Sequence, residues 1–149
     1  MKTVEDVPVV NCALTGGSLP DYKSEGASGA DLTALLEEDL VLKPGMRALV
    51  RTGLSLEIPR GIEAQVRPRS GLALEHGVTV LNSPGTVDSD YRGELKIILV
   101  NLGESDFRVR NGDRIAQIVF SPVLRVAFQR QDAIARTRRG SGGFGSTGM

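Results

Sequence analysis

The sequence predicts an all-β fold, and three observations carry that prediction. Glycine and proline recur as punctuation at Gly45, Gly53, Pro59-Arg60-Gly61, Pro68, Gly71, Gly77, Pro84-Gly85, Gly93, Gly103, Gly112 and Pro122. Their spacing, roughly 8 to 12 residues, is that of a sandwich or barrel. The gaps are filled by short apolar runs rich in Val, Ile and Leu. No segment is long enough for a crossover helix, which argues against a parallel α/β sheet.

Taken in order, "MRALVRTGLSLEI", "GIEAQVR", "GVTVL", "ELKIILVN", "FRVRNGD" and "RIAQIVFSPV" read as strands. In "FRVR" the alternation is clean, as expected where one face is wet. "RIAQIVF" is expected to bury Ile115, Ile118 and Phe120. The one plausible helical stretch is "SGLALEHG", from Ser70 to His76, with Gly77 as its stop. The last stretch, "RTRRGSGGFGSTGM", has no core-forming periodicity and, taken alone, is a mobile tail.

Composition bounds the function. Hydrophobic residues make up 40% and charged residues 24% of the 149 residues, values of a globular chain with one core. Lys+Arg and Asp+Glu both number 18, for a formal net charge of zero. That balance argues against bulk binding to nucleic acid or an anionic membrane, while allowing a small anion in a locally basic pocket. A lone cysteine, Cys12, forms no intrachain disulfide and suits a cytoplasmic setting. With one histidine and one cysteine, a zinc site of the usual kind is ruled out, and a Ser-His-Asp triad through His76 has no motif support. Cys12 is assigned to ordinary packing and His76 to a helix end. "MKTVEDVPVVNC" carries acidic residues and Pro8 inside a short apolar run, so it is read as neither a signal peptide nor a membrane span.

Several segments carry groups suited to phosphate and nucleobase chemistry. "GSGGFGST" has the spacing of a Walker A loop, but Ser146 replaces the lysine and no helix follows, so it is not a Walker NTPase. Its glycines still allow backbone N–H groups to converge on an anion, with Ser146, Thr147 and Arg139 as further donors and Phe144 free to stack on a ring. In "RPRSGLA", Arg69, Ser70 and Gly71 suit phosphate oxygens, or Ser70 simply caps a basic turn. Gln117 is either another donor or an ordinary exposed strand residue. In "GASGADLTA", Asp31 stands between a tight turn and a strand, as a turn aspartate or as a carboxylate for the hydration shell of magnesium beside a polyphosphate.

"GTVDSDYRGELKIILVN" sets two aspartates before an apolar strand, where unpaired carboxylates are costly. Asn82 offers both donor and acceptor, as needed to read a base edge. Asp88 is a candidate to orient or deprotonate a water. Asp90 is assigned to a turn or to a pair with Arg92.

Together and in this order, "SGADL", "RPRSGLA", "GTVDSDYRGE", "DRIAQIVF" and "RGSGGFGSTG" resemble the five motifs of the trimeric dUTPases, spread from Gly26 to Gly148. The resemblance implies a jelly-roll-like, distorted β-barrel of residues 1–135 and a flexible arm of residues 136–149. It implies a homotrimer whose subunits share active sites, the arm of one closing over a site between the others. The implied reaction is dUTP plus water giving dUMP and pyrophosphate, with Mg²⁺ on the triphosphate.

The resemblance also implies roles for single residues. Asp88 contacts the sugar 3′-hydroxyl and orients the attacking water, and Tyr91 lies under the deoxyribose and leaves no space for a 2′-hydroxyl. Asn82 and the hairpin from Ser83 to Val87, including Thr86 and Val87, read uracil. Arg69, Ser70, Gly71 and Gln117 bind phosphate, and Lys96 stands near the substrate. Asp31 holds Mg²⁺ through water. Arg139, Gly145, Ser146 and Thr147 bind the substrate from the arm, while Phe144 caps the uracil. The small Ala30 departs from the common first motif and is expected to alter packing alone. Two rivals share the scaffold. In dCTP deaminases the third motif reads Asp-Pro-Gly-Phe, against Asp88-Ser89-Asp90-Tyr91 here, and Ile98 stands where their catalytic glutamate would be. A non-catalytic nucleotide sensor would keep the fold without the hydrolysis.

Overall fold

A computed structural model describes residues 7–148 of the chain. The reading of the first residues as neither signal peptide nor membrane span falls mainly on residues 1–6, outside the described ones. No helix among the described residues is long and apolar enough to cross a membrane.

The elements run β1 (Asn11–Leu14), β2 (Ala30–Thr33), β3 (Leu40–Leu42), β4 (Arg47–Glu57), β5 (Ile62–Arg67), α1 (Ser70–His76), β6 (Val78–Val80), β7 (Gly85–Val87), β8 (Glu94–Asn101), β9 (Phe107–Val109) and β10 (Arg114–Pro122). One four-stranded sheet has the order β1-β4-β8-β6 and a second the order β2-β10-β5-β7, with β3 and β9 forming a ribbon. Every pairing between these strands is antiparallel. The all-β expectation holds. The described strands form two sheets and a ribbon around one core, rather than one closed barrel.

Each element follows from its sequence. In β8, Leu95, Ile97 and Leu99 turn into the core while Lys96 faces out. Phe107, Arg108 and Val109 alternate as "FRVR" predicts. In β10 the expected inward set of Ile115, Ile118 and Phe120 breaks the period of two. A β-bulge between Arg114 and Ala116 absorbs the extra residue, so Ile115 and Ala116 are both buried and Phe120 only partly. Gly77, at φ 66, stops α1 as expected, and His76 packs on Phe107 with ring centroids 5.0 Å apart. β2 is the strand expected beside Asp31, and the three strands that the sequence did not announce, β1, β3 and β7, have only three or four residues each.

Two buried polar residues tie the layers together. Thr52 sits in a bulge of β4, where its hydroxyl donates to the Leu95 carbonyl at 2.6 Å and accepts from the Leu54 N–H at 3.2 Å. Beside it Gly53 stands at φ +72, and a Cβ there would lie 2.5 Å from the Gly16 carbonyl, so both conformation and space demand glycine. Asn101 is fully buried. Its Nδ2 donates to the carbonyls of Leu42 and Ser105, both at 2.8 Å, and its Oδ1 accepts from the Gly103 N–H at 2.9 Å. One carboxamide thus joins β3, β8 and the turn after it.

Cys12 is not packed in the core: it is exposed on β1, although partial burial raises its thiol above the usual cysteine range. After Pro122 the chain leaves the sheets. The Val123 N–H still reaches the Gly61 carbonyl at 2.9 Å, and from Leu124 onward nearly every described residue is exposed.

Asn101→Ala is expected to lower the unfolding free energy by about 3 kcal/mol, because two carbonyls and one N–H lose their partner inside the fold. Equilibrium urea unfolding checks this; a loss near zero would mean that water replaces the carboxamide.

Candidate functional site

β7 is three residues long and pairs Val87 with Ala64 and Gly85 with Val66 of β5. This short pairing carries the loop before it and the turn after it to one side of the sheet. A cleft of about 570 Å³ opens there, lined by Asn82, Thr86, Val87, Asp88, Tyr91 and Lys96 around a floor that includes Val66, Val80, Leu95 and Ile97. An apolar floor with a few convergent polar groups is the usual form of a small-molecule site.

The turn that follows is closed by the Tyr91 N–H donating to the Asp88 carbonyl at 3.2 Å. Asp88 and Asp90 are both exposed, so the cost anticipated for carboxylates near an apolar strand does not arise within one chain. The expected Asp90–Arg92 pair is not formed. Arg92 instead donates to the carbonyls of Ser89 at 2.7 Å and Tyr91 at 3.2 Å, bracing the turn. Asp88 also borders a second cleft, where Arg60, Arg92 and Arg125 stand. The Tyr91 hydroxyl donates to the Glu94 carbonyl at 3.0 Å.

Glu94, which the sequence did not single out, anchors this side of the site. Its carboxylate accepts from Arg51 Nε at 3.0 and 3.1 Å and from the Gly53 N–H at 2.9 Å. Burial pushes its carboxyl upward. The Gly53 and Arg51 hydrogen bonds and the charges of Arg51 and Lys96 outweigh that, holding it below the ordinary glutamate value.

A second cluster forms where β10 lies between β2 and β5. Gln117 is in register with Asp31 on one side and Arg67 on the other. The Asp31 side chain, only 14% exposed, meets Arg114 Nη1 at 3.1 Å and Arg69 Nε at 3.6 Å. Arg69 also donates to the Arg114 carbonyl, and Gln117 Nε2 to the Pro68 carbonyl, both at 3.0 Å. Ser70 is not a helix cap: Arg69 holds the N-cap position without a side-chain cap bond, and Ser70 and Gly71 open α1 exposed. Arg114 belongs to the quoted fourth motif but gave no sign of its own, since a lone arginine at a strand entry usually faces water.

Two guanidiniums around one carboxylate leave a net positive charge, which suits phosphate oxygens. Among the described residues no group of three or more His, Cys, Asp or Glu side chains could hold a metal ion. The donor set therefore fits Mg²⁺ only as a carboxylate beside phosphate and water ligands, which is how that ion is commonly bound.

Asp88 and the phosphate cluster lie toward opposite ends of β5. Asp88 follows Val87, whose partner is Ala64, whereas Arg69 lies beyond the Arg67 end. At the rise of an extended strand, the two stand roughly 20 Å apart along β5. Arg139, Phe144, Gly145, Ser146 and Thr147 join neither cluster. The arm's hydrogen bonds close within it, among them Arg139 Nε to the Gly142 carbonyl at 2.9 Å, and Phe144 is fully exposed.

A sequence model of dUTPase matches residues 16–148. The chain belongs to the dUTPase family. The deoxyuridine 5′-triphosphate nucleotidohydrolase of Treponema denticola is 60% identical to it over 134 residues, covering 90% of this chain and 93% of that protein. The enzyme of the same name from Mesorhizobium japonicum is 62% identical over 135 residues, covering 89% and 84%. Among solved structures, a variant dUTPase of Staphylococcus bacteriophage 80alpha with dUpNHpp superposes with a TM-score of 0.87 at 22% identity, covering 96% of this chain and all of that one. A variant dUTPase of phage phi11, described with a structural Mg(II) ion, gives a TM-score of 0.77 at 19% identity over 85% of this chain and 98% of that one. At those identities the two structures bear on the fold of this dUTPase alone.

In this dUTPase, Glu94→Gln is expected to cost about 1–2 kcal/mol above pH 5 and to flatten the acid limb of the stability curve. The native carboxyl is held low, so its contribution is complete above the unfolded value, about 4.3, and fades as pH falls through the lower folded value. Urea unfolding of both proteins from pH 6 to pH 3 measures the convergence; parallel curves would contradict it.

Proposed function

We propose that the chain hydrolyses dUTP to dUMP and pyrophosphate by attack of water on the α-phosphorus. The observation that carries the reading is the cleft that gathers Asn82, Asp88 and Tyr91 in a member of the dUTPase family. Water's oxygen bonds to the α-phosphorus, the bond from that phosphorus to the bridging oxygen breaks, and pyrophosphate leaves. Removal of dUTP limits uracil in DNA, and the dUMP formed supplies dTMP synthesis.

Asn82 and the hairpin backbone through Thr86 and Val87 read the uracil edge. Cytosine presents its amino group to a donor there, and a mispaired buried group is costly. Lack of room beside C5 rejects thymine. Tyr91 supports the deoxyribose, and Asp88 accepts from the 3′-hydroxyl and orients the nucleophilic water. Arg69, Ser70, Gly71 and Gln117 hold phosphate oxygens, with Lys96 close to the substrate. Asp31 holds Mg²⁺ through water, and bound Mg²⁺ supplies charge neutralisation on the triphosphate. Arg139, Gly145, Ser146 and Thr147 complete the phosphate contacts from the arm, where Phe144 covers the base. Closure excludes bulk water, which strengthens each charge interaction inside.

A homotrimer with shared sites is part of this reading. The separation of the two clusters along β5 supports it, because a triphosphate reaching past Asp88 moves away from the same chain's Arg69. The segment after Pro122 supports it as well. Leu124, Val126 and Phe128 recur at alternate positions of a segment outside the sheets and are 89%, 60% and 96% exposed, an apolar alternation that the described residues leave uncovered. The proposed division is a body of residues 1–135 and a lid of residues 136–149, with residues 124–135 bound to a second copy. A cytoplasmic setting agrees with the unpaired thiol of Cys12.

The test is hydrolysis with Mg²⁺ of dUTP, dCTP, dTTP and UTP in separate reactions. dUMP and pyrophosphate are expected from dUTP, and Asp88→Asn is expected to lower kcat by at least about 100-fold while dUTP still binds. Formation of dUTP from dCTP would indicate a deaminase, a result that Ile98 in place of an acidic residue argues against. Binding of dUTP by wild type without turnover would indicate a sensor.

A further inference from the structure

Gly93 lies in the nucleoside cleft between Tyr91 and Glu94. It is not among the glycines with positive φ, so its backbone conformation does not demand glycine. Tyr91 does. A Cβ on residue 93 would stand 2.4 Å from Tyr91 Oη, 2.6 Å from Cζ and 2.9 Å from Cε2. The ring is folded back across the bare Cα of Gly93, and its hydroxyl reaches the Glu94 carbonyl at 3.0 Å. That carbonyl is itself fixed. Glu94 begins β8, and its carboxylate is bound to Arg51 and to the Gly53 N–H across the β4 bulge.

Tyr91 is therefore held by the hydrogen bond to Glu94 although it is 47% exposed. The missing side chain of Gly93 leaves the space in which that bond forms. A solvent-facing tyrosine without such holds samples several rotamers, and a ring that moves by about 1 Å admits or refuses a single oxygen atom.

We propose that Gly93 is a specificity-determining residue for the sugar. By leaving room for the Tyr91 ring to lie against the backbone with its hydroxyl on Glu94, it fixes the surface that refuses a 2′-hydroxyl. The proposal rests on the reading of this cleft as the dUTP site, and it extends that reading from Tyr91 to the residue that places it. Gly93 is a positioning residue, acting through Tyr91.

The experiment measures kcat/KM for dUTP and UTP, and their dissociation constants with Asp88→Asn added to block turnover, in wild type, Gly93→Ala, Tyr91→Phe, Tyr91→Ala and the Tyr91→Ala/Gly93→Ala double variant. Gly93→Ala is expected to raise the UTP:dUTP ratio about tenfold, with a thermal midpoint within a few degrees of wild type, since the displaced atoms belong to a half-exposed side chain. Tyr91→Phe, which keeps the ring and loses the anchor, is expected to raise the ratio less. In the Tyr91→Ala background, Gly93→Ala is expected to change nothing further, the signature of two residues acting as one. An unchanged ratio in Gly93→Ala, or an equal effect of Gly93→Ala with and without Tyr91, overturns the proposal. Wild type that neither cleaves nor binds dUTP overturns the functional reading itself and this proposal with it.

Discussion

β5 is held between β10 and β7 in a register that pairs its Val66 with Ile118 on one side and Gly85 on the other. Asp88 and the phosphate cluster take their places from that register. Toward Arg67, β5 delivers the loop with Arg69 and Ser70 to the strand that carries Gln117, and β2 adds Asp31 from the far side of β10. Toward Ala64, the partner β7 ends and the chain turns out at Asp88. Because strand pairing is indivisible at the level of one residue, a slip would turn buried Ala64 and Val66 outward and scatter both clusters together. Buried Ala64, Val66 and Ile118 hold the register, and the functional groups inherit it.

This arrangement gives direction as well as distance. Asn82 lies at the Gly85 end of β7, and Asp88 at the other. A nucleotide whose base meets Asn82 and whose α-phosphorus meets Asp88 carries its phosphates away from Arg69 of the same chain. In the proposed homotrimer the phosphate cluster, with its two guanidiniums on Asp31, serves a nucleotide held by another copy. An arm whose described residues close no hydrogen bond onto the sheets supports the same proposal. In the proposed homotrimer, assembly brings the phosphate site of one chain to the nucleoside site of another.

The fold was legible because turn signals are local. Pro59-Arg60-Gly61 and Pro84-Gly85 announce chain reversals whatever surrounds them, and long runs such as "ELKIILVN" need no tertiary context to read as strands. β1, β3 and β7 escaped because three or four residues carry too little periodicity to rise above a loop. The inward turn of Ala116 escaped because a bulge breaks the period that a reader relies on. At the site, Asp88, Asn82 and Tyr91 were legible through the motif resemblance, whereas Glu94 and Arg114 were not. Their importance lies in partners distant in sequence, Arg51 and Gly53 for one and Asp31 for the other. Asn101 shows the same limit, since nothing in "ILVN" reveals that its carboxamide holds three backbone groups. Gly93 was read as punctuation, and only coordinates reveal the ring lying over it.

The central claim is that Asp88 and Arg69 serve one nucleotide from different chains, and subunit complementation tests it most directly. Asp88→Asn and Arg69→Ala chains, each inactive alone, would be mixed one to one, unfolded, refolded together and assayed on dUTP. Random assembly with Asp88 and Arg69 drawn from different chains predicts recovery of about a quarter of the wild-type rate, because one site in four then receives both intact residues. Mixed assemblies, verified by a tag on one chain, that stay as inactive as their parents would place both residues in the same chain's site and contradict the account.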